Sequence, residues 1–237
     1  LASQLDNLDI DRSKIDFIFN MIDVEKYHNE QPFIHDKSTI LFLGHLSYAK
    51  GYTLLLRAIP KVVEKIPNVK FKFAGTIINT ASKNISHDYE SKEKLVHENP
   101  QEVYNNIIKG NYDSNYEYLG IIEEDKKIQE FKAATCVVLP SFSEGFSMSI
   151  LEALVLSKPV ICTRVGALKD IVINETNGLL VNTNDVDQLA AALIKICQNI
   201  DLRNHIIENN TNARTMYSTD HIADKYIKTF NDLISYK

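Results

Sequence analysis

Short apolar segments alternate with amphipathic segments along the chain from residue 38 onward. Residues 38–44 form a continuous apolar run that a glycine ends, which is typical of a strand buried on both faces. Residues 52–66 follow with apolar side chains at helical spacing, which predicts an amphipathic helix. Pro60 lies inside that pattern and predicts a kink or a split in the helix, because proline removes a backbone hydrogen bond.

The same alternation continues to the end of the chain. Further strands are predicted at residues 69–75, 117–120, 136–140, 159–163 and 178–181. Further helices are predicted at residues 123–134, 145–156, 167–172, 185–198, 201–215 and 219–235. Strands separated by helices imply right-handed crossovers, so we expect an α/β fold with a Rossmann-like, doubly wound, mostly parallel sheet. Such sheets bind ligands at the carboxyl ends of their strands, which here are the loops after Gly44, Gly75, Gly120 and Pro140.

Two segments depart from this alternation. Residues 1–37 hold one strand-like run, at 15–19, and then a polar stretch. We interpret them as an interdomain connection and the remnant of a preceding domain. Residues 77–115 are polar, with a helical patch near 90–109, and are predicted to form an insertion over the sheet edge, because connections in such sheets are usually short.

The expected domain plan is a Rossmann-like domain at residues 38–218 and a last helix, at 219–237, that packs back toward the preceding domain.

The chain has 237 residues, of which 44% are hydrophobic and 24% charged. This composition is ordinary for a globular protein. The net charge is −5 and like charges do not cluster, which argues against nucleic acid as the partner.

Targeting and redox signals are few. No run of about 18 apolar residues occurs, so no transmembrane segment is predicted. The amino terminus shows no signal peptide and opens at Leu1 rather than at a methionine, so we expect a domain excised from a longer protein. Cys136, Cys162 and Cys197 lie in apolar runs and are expected to be buried free thiols in a reducing compartment. The expected location is therefore cytoplasmic.

Residues 140–153 carry the strongest local signal for chemistry, because a small polar loop there joins a buried strand to a helix. The predicted helix begins at Gly145, where backbone N–H groups and the helix dipole suit a phosphate. Glu144 precedes that helix and Glu152 lies farther along it, at a spacing of roughly 12 Å for a continuous helix. A diphosphate with a sugar and a ribose at its ends has about this span, so the two carboxylates can accept hydrogen bonds from those two groups.

The pair Glu144 and Glu152, with seven residues between them, resembles the Glu-x7-Glu motif of glycosyltransferase family 4, whose members have the GT-B fold. Two further segments resemble the family's Gly-Arg-Leu and Lys-Gly elements, namely Gly44-His45-Leu46 and Lys50-Gly51. Other family segments follow in the same order, at residues 73–75, 118–120, 158–160, 165–166 and 177–181. The resemblance covers about residues 14–235, and so many ordered segments are hard to obtain by chance.

This resemblance implies one half of a GT-B architecture, the half that binds the sugar donor. Lys50 would neutralise the donor diphosphate, which becomes the leaving group, and Glu144 would contact the donor sugar, so these two are the expected catalytic residues. Glu152 would bind the ribose. The other donor-binding residues that the family implies are Gly44, His45, Gly145, Phe146, Ser147, Met148 and Ser149. A fixed cation and helix amides stabilise charge on a leaving phosphate without a metal, so no metal or other cofactor is expected.

The expected donor is therefore a nucleotide-diphosphate sugar, and the expected acceptor is a hydroxyl of a glycan, a lipid-linked sugar or a protein. The resemblance implies a retaining transfer in glycan or cell-surface polysaccharide synthesis. It also puts the acceptor site in an N-terminal GT-B domain that is missing here. We therefore expect the chain alone to transfer no sugar, and any association with an inner membrane face to be peripheral and made through the missing half.

Other functions remain open. His45 stands where the family has arginine, so one permanent positive charge is absent, and the chain is alternatively a catalytically silent module that binds a nucleotide or a partner. A sugar-nucleotide epimerase is a weaker alternative, because it would not be expected to carry the two glutamates in this setting. Residues 9–11 and 185–187 mimic the metal-binding Asp-x-Asp of the other glycosyltransferase fold. Neither follows a buried strand, and Asp185 is predicted to be a helix N-cap.

Overall fold

The computed structural model of the protein describes residues 17–27, 38–78 and 98–235. Six strands in these residues form one sheet, and all of its pairs are parallel. The strands are β1 (Thr39–Leu43), β2 (Lys70–Ala74), β3 (Tyr116–Gly120), β4 (Cys136–Leu139), β5 (Val160–Thr163) and β6 (Gly178–Val181). Each lies within a residue or two of its predicted position.

The strand order is β3-β2-β1-β4-β5-β6, so the chain winds outward from β1 in one direction and then from β4 in the other. This order confirms the predicted doubly wound, Rossmann-like sheet. Strands β4, β5 and β6 are buried throughout, as their continuous apolar sequences predict, whereas the edge strand β3 is largely exposed. The winding direction reverses between β1 and β4, which makes the carboxyl ends of these two strands the expected ligand site.

Helices connect and cover the strands. They are α1 (Tyr52–Lys65), α2 (Pro100–Ile107), α3 (Glu124–Ala133), α4 (Met148–Val155), α5 (Leu168–Ile171), α6 (Val186–Gln198), α7 (Ile200–Asn209), α8 (Ala213–Met216) and α9 (Thr219–Ser235). Helix α1 packs on α6 and α2, and α7 packs on α6. In the described part of the chain, no helix combines the length and apolarity needed to cross a membrane.

Pro60 does not split its helix, so that part of the prediction is wrong. Helix α1 runs without interruption from Tyr52 to Lys65. An interior proline costs about 3 kcal/mol. Leu55, Ile59 and Val62 are fully buried on both sides of the proline, and their packing outweighs this local cost.

Helix α4 begins at Met148, not at Gly145 as predicted. Ser147 is its N-cap, and the Ser147 Oγ accepts a hydrogen bond of 3.4 Å from the backbone N–H of Ile150. Residues 144–147 therefore lie outside the helix. The spacing derived for a continuous helix between Glu144 and Glu152 does not apply for the same reason.

Two other predicted segments differ from the structure, and a third is confirmed in its described part. The strand-like run at 15–19 is not a strand in its described part, residues 17–19. The predicted helix at 201–215 is divided into α7, a 3-10 turn and α8, because the buried Asn210 side chain in that turn donates to the backbone carbonyls of Lys158 and Asn177. Within the predicted patch near 90–109, helix α2 is confirmed, and residues 90–97 lie outside the described residues.

The thiols and the Asp-x-Asp segments were also assigned roles from sequence. Cys136, Cys162 and Cys197 are unbridged and buried, as predicted. Asp185 is the N-cap of α6, as predicted, and its carboxylate accepts a 2.8 Å hydrogen bond from the Gln188 N–H. The other Asp-x-Asp segment, residues 9–11, lies outside the described residues.

Candidate functional site

The loops that follow β1 and β4 are joined at the carboxyl edge of the sheet. The backbone N–H of Phe142 donates a 2.9 Å hydrogen bond to the carbonyl of Ala49, and the rings of Tyr48 and Phe142 stack with centroids 4.6 Å apart. A Cβ atom on Gly51 would lie 1.9 Å from the Pro140 carbonyl oxygen, so this close approach of the two loops requires glycine. The two loops therefore form one surface at the point where the winding reverses.

Lys50 and Glu144, the two expected catalytic residues, are in direct contact on this surface. Lys50 Nζ lies 2.7 Å from Glu144 Oε2, and the Ser141 hydroxyl donates to the same oxygen at 3.2 Å. The Glu144 side chain is only 6% exposed, whereas the Lys50 side chain is 33% exposed. The Glu144 carboxylate is thus buried and held by two donors, whereas the Lys50 side chain is partly open to a ligand at the sheet edge.

The end of β2 borders the same surface. The Gly44 N–H donates a 2.9 Å hydrogen bond to the Ala74 carbonyl, and a Cβ on Gly75 would lie 2.0 Å from the Gly44 carbonyl oxygen. Gly75 has a φ of +135°, which a glycine adopts without strain. His45 follows Gly44 and is exposed at this edge. The structure therefore places both residues where the sequence predicts the donor site.

The segment between Glu144 and α4 contains the other predicted donor-binding residues. Gly145 has open space around its Cα, with nothing within 4 Å of the position a Cβ would take. The hydroxyls of Ser147 and Ser149 lie 3.1 Å apart, and Met148 at the start of α4 is 41% exposed. Helix α4 follows β4 along the chain, so its amino end lies at the carboxyl edge of the sheet, although the helix starts later than predicted.

Glu152 lies one turn into α4 and is buried, and sequence analysis missed two side chains near its carboxylate. Lys127 Nζ on α3 lies 2.9 Å from Glu152 Oε1 and also 2.9 Å from the Glu124 carboxylate. Burial on its own would lower the pKa of Lys127, but the hydrogen bonds and charges of Glu152 and Glu124 outweigh it, so the pKa is raised. This lysine therefore remains an ammonium beside Glu152.

The second missed side chain is Tyr27, on the segment that precedes the sheet, whose hydroxyl is within range of the Glu152 charge. Tyr27 is 2% exposed, and its pKa is raised above its ordinary value by burial first and then by the negative charge of Glu152. The position of Lys127, soon after β3 in the first turn of a helix, was a usable sequence signal, because β3 also ends at this edge. No comparable signal marked Tyr27.

Comparison with known families agrees with this geometry. Residues 23–213 match the family described as Glycosyl transferases group 1. An uncharacterized glycosyltransferase of Methanocaldococcus jannaschii is 28% identical over 197 residues, which are 82% of this chain and 45% of the relative. A D-inositol 3-phosphate glycosyltransferase of Nocardioides sp. is 23% identical over 238 residues, 97% of this chain and 51% of the relative. The chain thus spans about half the length of these relatives.

Solved structures share the fold. Anabaena HepE in complex with UDP is similar with a TM-score of 0.77 at 17% identity, over 98% of this chain and 61% of that chain. The C-terminal domain of LpcC, a glycosyl transferase group 1 family protein of Francisella tularensis, is similar with a TM-score of 0.67 at 22% identity. That alignment covers 84% of this chain and 99% of the LpcC domain.

Proposed function

The chain belongs to the glycosyl transferases group 1 family, and we propose that it is the donor-binding half of a retaining glycosyltransferase that uses a nucleotide-diphosphate sugar. The observation that carries the proposal is the 2.7 Å contact between Lys50 Nζ and Glu144 Oε2 at the switch point between β1 and β4. A partly exposed cation and a buried carboxylate lie side by side there, each from a different loop. Relatives of the same fold in complex with UDP and with UDP-glucose support this class of ligand.

Lys50 stabilises the leaving group in this proposal. When the bond between the anomeric carbon and the phosphate oxygen breaks, its electrons stay with the diphosphate, where negative charge increases. An ammonium group has three N–H donors, so Lys50 can keep its hydrogen bond to Glu144 and also donate to a phosphate oxygen. Together with the N–H groups at the start of α4, beginning at Met148, this fixed cation stabilises the charge without a metal ion.

Glu144 orients the donor sugar. Its carboxylate is held by Lys50 and by Ser141, and the backbone carbonyl of Ser141 is in turn fixed by the Thr163 hydroxyl on β5. A carboxylate fixed in this way accepts hydrogen bonds from sugar hydroxyls at a defined position, which holds the anomeric carbon near the diphosphate cation. Glu152 accepts from the ribose at the other end of the donor.

A preceding GT-B domain supplies the acceptor site. Helix α9 buries only Ile222, and five of its large apolar side chains are exposed: Tyr226, Ile227, Phe230, Leu233 and Ile234. A groove of about 280 Å³ lies at the same end, between α9, the start of α4 and residues 19–21. We propose that α9 packs against the preceding domain. The likeness to the LpcC C-terminal domain over 99% of its length supports a C-terminal position.

The proposed setting is glycan or cell-surface polysaccharide synthesis in the cytoplasm, with any attachment to the inner membrane face made by the preceding half. Three buried, unbridged thiols support a reducing compartment. The acceptor hydroxyl belongs to a glycan, a lipid-linked sugar or a protein. As the acceptor oxygen bonds to the anomeric carbon, its proton passes to the oxygen of the departing diphosphate.

The second candidate is a catalytically silent module of the same fold. Two observations favour it, since His45 occupies the exposed edge where the family has a permanent cation, and the Lys50 ammonium is already paired with Glu144. Saturation-transfer NMR with uridine, guanosine and adenosine diphosphate sugars separates donor binding from no binding. Binding without turnover by the complete protein would favour the silent module.

A transfer assay tests the proposed function. The chain alone is compared with the same chain fused to its native upstream sequence, with each nucleotide sugar and a panel of hydroxyl acceptors. Holding two reactants in alignment contributes about 7–11 kcal/mol to the lowering of a barrier, so the chain alone should show slow donor hydrolysis at most. Transfer by the fused protein with retained anomeric configuration is the expected result. Robust transfer by the chain alone, or an inverted product, would contradict the proposal.

A further inference from the structure

Lys127 links the first turn of α3 to the interior of α4. Its backbone N–H donates a 2.8 Å hydrogen bond to the carbonyl of Glu123, the N-cap of α3. Its Nζ donates at 2.9 Å to Oε1 of Glu152, which lies one turn into α4. Helices α3 and α4 follow the parallel strands β3 and β4, so both helices begin at the carboxyl edge of the sheet. Lys127 therefore reaches Glu152 at the edge that holds the proposed donor site.

Both side chains of this ion pair are largely buried. The Lys127 side chain is 16% exposed and the Glu152 side chain is 11% exposed. Taking a carboxylate out of water is costly unless a cation and hydrogen bonds compensate its charge. Lys127 supplies that cation to Glu152 from a different helix, and a small part of the Glu152 side chain stays open.

The Lys127 ammonium is itself held by a second carboxylate. Its Nζ lies 2.9 Å from Oε2 of Glu124, three residues earlier on α3, whose side chain is 50% exposed. A lysine side chain is flexible on its own, and contacts with two carboxylates restrict where its charge can lie. The ammonium of Lys127 is therefore a donor of defined position beside Glu152.

The chemistry of a carboxylate explains what a fixed donor does. The terminal torsion of a glutamate is broad when nothing restrains it. The Lys127 hydrogen bond at Oε1 restrains that torsion in Glu152. An ionised carboxylate accepts at about four lone-pair sites, so acceptor sites remain for two vicinal hydroxyl groups. A binding residue whose orientation is fixed by a supporting residue receives its ligand at a defined position.

We propose that Lys127 is a positioning residue, whose ammonium holds the Glu152 carboxylate in the orientation that receives the two ribose hydroxyls of the donor. This inference rests on the proposed function, and it extends the donor site from α4 to the first turn of α3. Lys127 acts through Glu152, so its removal should affect the recognition of the ribose more than the binding of the diphosphate.

The test uses Lys127→Met, which keeps a long side chain and removes the ammonium. Affinities for the diphosphates of uridine, guanosine and adenosine and for their 2′,3′-dideoxy analogues are measured by calorimetry. The loss of a positive charge weakens the binding of both nucleotides alike, so the ratio of the two affinities reports on Glu152. The wild type should prefer the ribonucleotide by at least about 10-fold, and Lys127→Met by about 2-fold or less.

Lys72→Met is the matched control. Lys72 on β2 also has two carboxylate partners, since its Nζ lies 2.8 Å from Glu130 and 3.8 Å from Glu117. The Glu130 side chain is 11% exposed, the same fraction as that of Glu152. Both lysine variants should therefore lose stability in urea titration, because each leaves a buried carboxylate without its cation. Only Lys127→Met should lose the preference for the ribonucleotide.

Three further variants separate orientation from charge. Glu124→Gln leaves the contact between Lys127 and Glu152 intact, so it should keep the wild-type preference. Glu124→Gln combined with Lys127→Met should lose that preference, and it removes the repulsion between Glu124 and Glu152, so it should fold even where Lys127→Met does not. In a Glu152→Gln background, Lys127→Met should change the ratio of affinities no further.

The outcomes separate this inference from the function on which it rests. A wild-type ratio in the variants that lack Lys127, an equal fall of the ratio in Lys72→Met, or additive losses with Glu152→Gln would make Lys127 a structural residue and overturn the inference, while the proposed donor site stands. A wild type that binds both nucleotides alike would remove the ribose role of Glu152 and this inference with it. Failure of the wild type to bind any of the nucleotides would overturn the proposed function itself.

Discussion

Gly166 packs directly against the backbone carbonyl of Glu144. A Cβ atom added to Gly166 would lie 1.5 Å from the Glu144 carbonyl oxygen, and Gly166 has a φ of +51°, in the left-handed region. The neighbouring Ala167 N–H donates to the Gly145 carbonyl at 3.2 Å. The loop after β5 thus determines where the carboxylate of Glu144 can lie, although it contributes no side chain to the proposed site.

Gly166→Ala should therefore displace Glu144 and weaken donor binding. Gly110→Ala is the matched control, because Gly110 also has a positive φ, +80°, but has nothing within 4 Å of its Cβ position. A left-handed alanine costs about 1–2 kcal/mol by itself, so both variants should lose stability in denaturant titration. Only Gly166→Ala should also lower nucleoside diphosphate affinity. Equal affinities in the two variants would show that the position of Glu144 does not matter for binding.

Glu152→Gln should reduce discrimination between ribonucleotides and 2′-deoxynucleotides. A hydrogen bond to a charged group contributes about 1.5–3 kcal/mol, and the amide cannot replace the second carboxylate oxygen as an acceptor. Lys127 keeps its 2.9 Å contact with Glu124, so the fold should survive the change. Calorimetric titration with both nucleotides is the measurement, and Glu175→Gln, at an exposed ion pair with Lys195, is the control. Unchanged discrimination would make Glu152 a structural residue.

Lys158 should make a contribution to stability that increases with pH. Its ammonium is buried and donates to the carbonyls of Lys132 and Ala134 at the end of α3, and desolvation lowers its pKa from 10.5 to about 8. Between these two values Lys158 binds more protons in the unfolded chain than in the folded one, so its contribution to the free energy of unfolding rises with pH across that window.

The comparison that isolates this effect is Lys158→Met against the wild type between about pH 8 and about pH 9.5, below the ordinary pKa of tyrosine. The variant should be less stable by about 1–3 kcal/mol, because two buried carbonyls lose their donor. The difference in stability between wild type and variant should also increase with pH in urea titrations, because the three buried thiols, whose pKa is raised on folding, affect both proteins equally. The exposed Lys109 provides the control substitution, Lys109→Met. The same pH dependence in Lys158→Met and wild type would exclude Lys158 as its source.

The three cysteines should be inert toward thiol reagents in the native protein. Burial raises the pKa of all three thiols, that of Cys197 to about 11, and the thiolate is the reactive form. Ellman's reagent should report no rapid reaction in buffer and all 3 thiols in denaturant. Rapid modification of one thiol in the native state would show that its segment opens locally.

The hydrophobic pattern was sufficient to predict the sheet. Buried parallel strands are continuous apolar runs, so residues 136–140 and 178–181 were assigned to within a residue. The pattern was less reliable where a local signal competes with packing. Pro60 suggested a break, but the packing of α1 outweighs the local cost of the proline. Gly145 suggested the start of a helix, but the N-cap of that helix is Ser147, because serine is a better N-cap than glycine.

The site was predictable only in part. Lys50 and Glu144 were identified from their motifs, but their contact follows from strand order, which the sequence did not specify in detail. Lys127 and Tyr27 were missed because they approach Glu152 from α3 and from residues 17–27, segments remote in sequence. Residues that only neighbour a candidate site residue carry no motif of their own, so they can be identified only in the folded structure.

The central claim is that Lys50 and its surroundings bind a nucleoside diphosphate without metal. The most direct test is calorimetric titration of the wild type and Lys50→Met with uridine, guanosine and adenosine diphosphates, in chelator and again in magnesium. Lys195→Met is the matched control, because Lys195 also forms a 2.7 Å ion pair, with Glu175 before the amino end of β6.

We predict that one of these nucleotides binds the wild type equally well in chelator and in magnesium. Lys50→Met should bind it at least about 10-fold more weakly, since the lost contact is a hydrogen bond between charged groups, and Lys195→Met should match the wild type. Binding that requires magnesium, or equal affinity of Lys50→Met and the wild type, would contradict the claim.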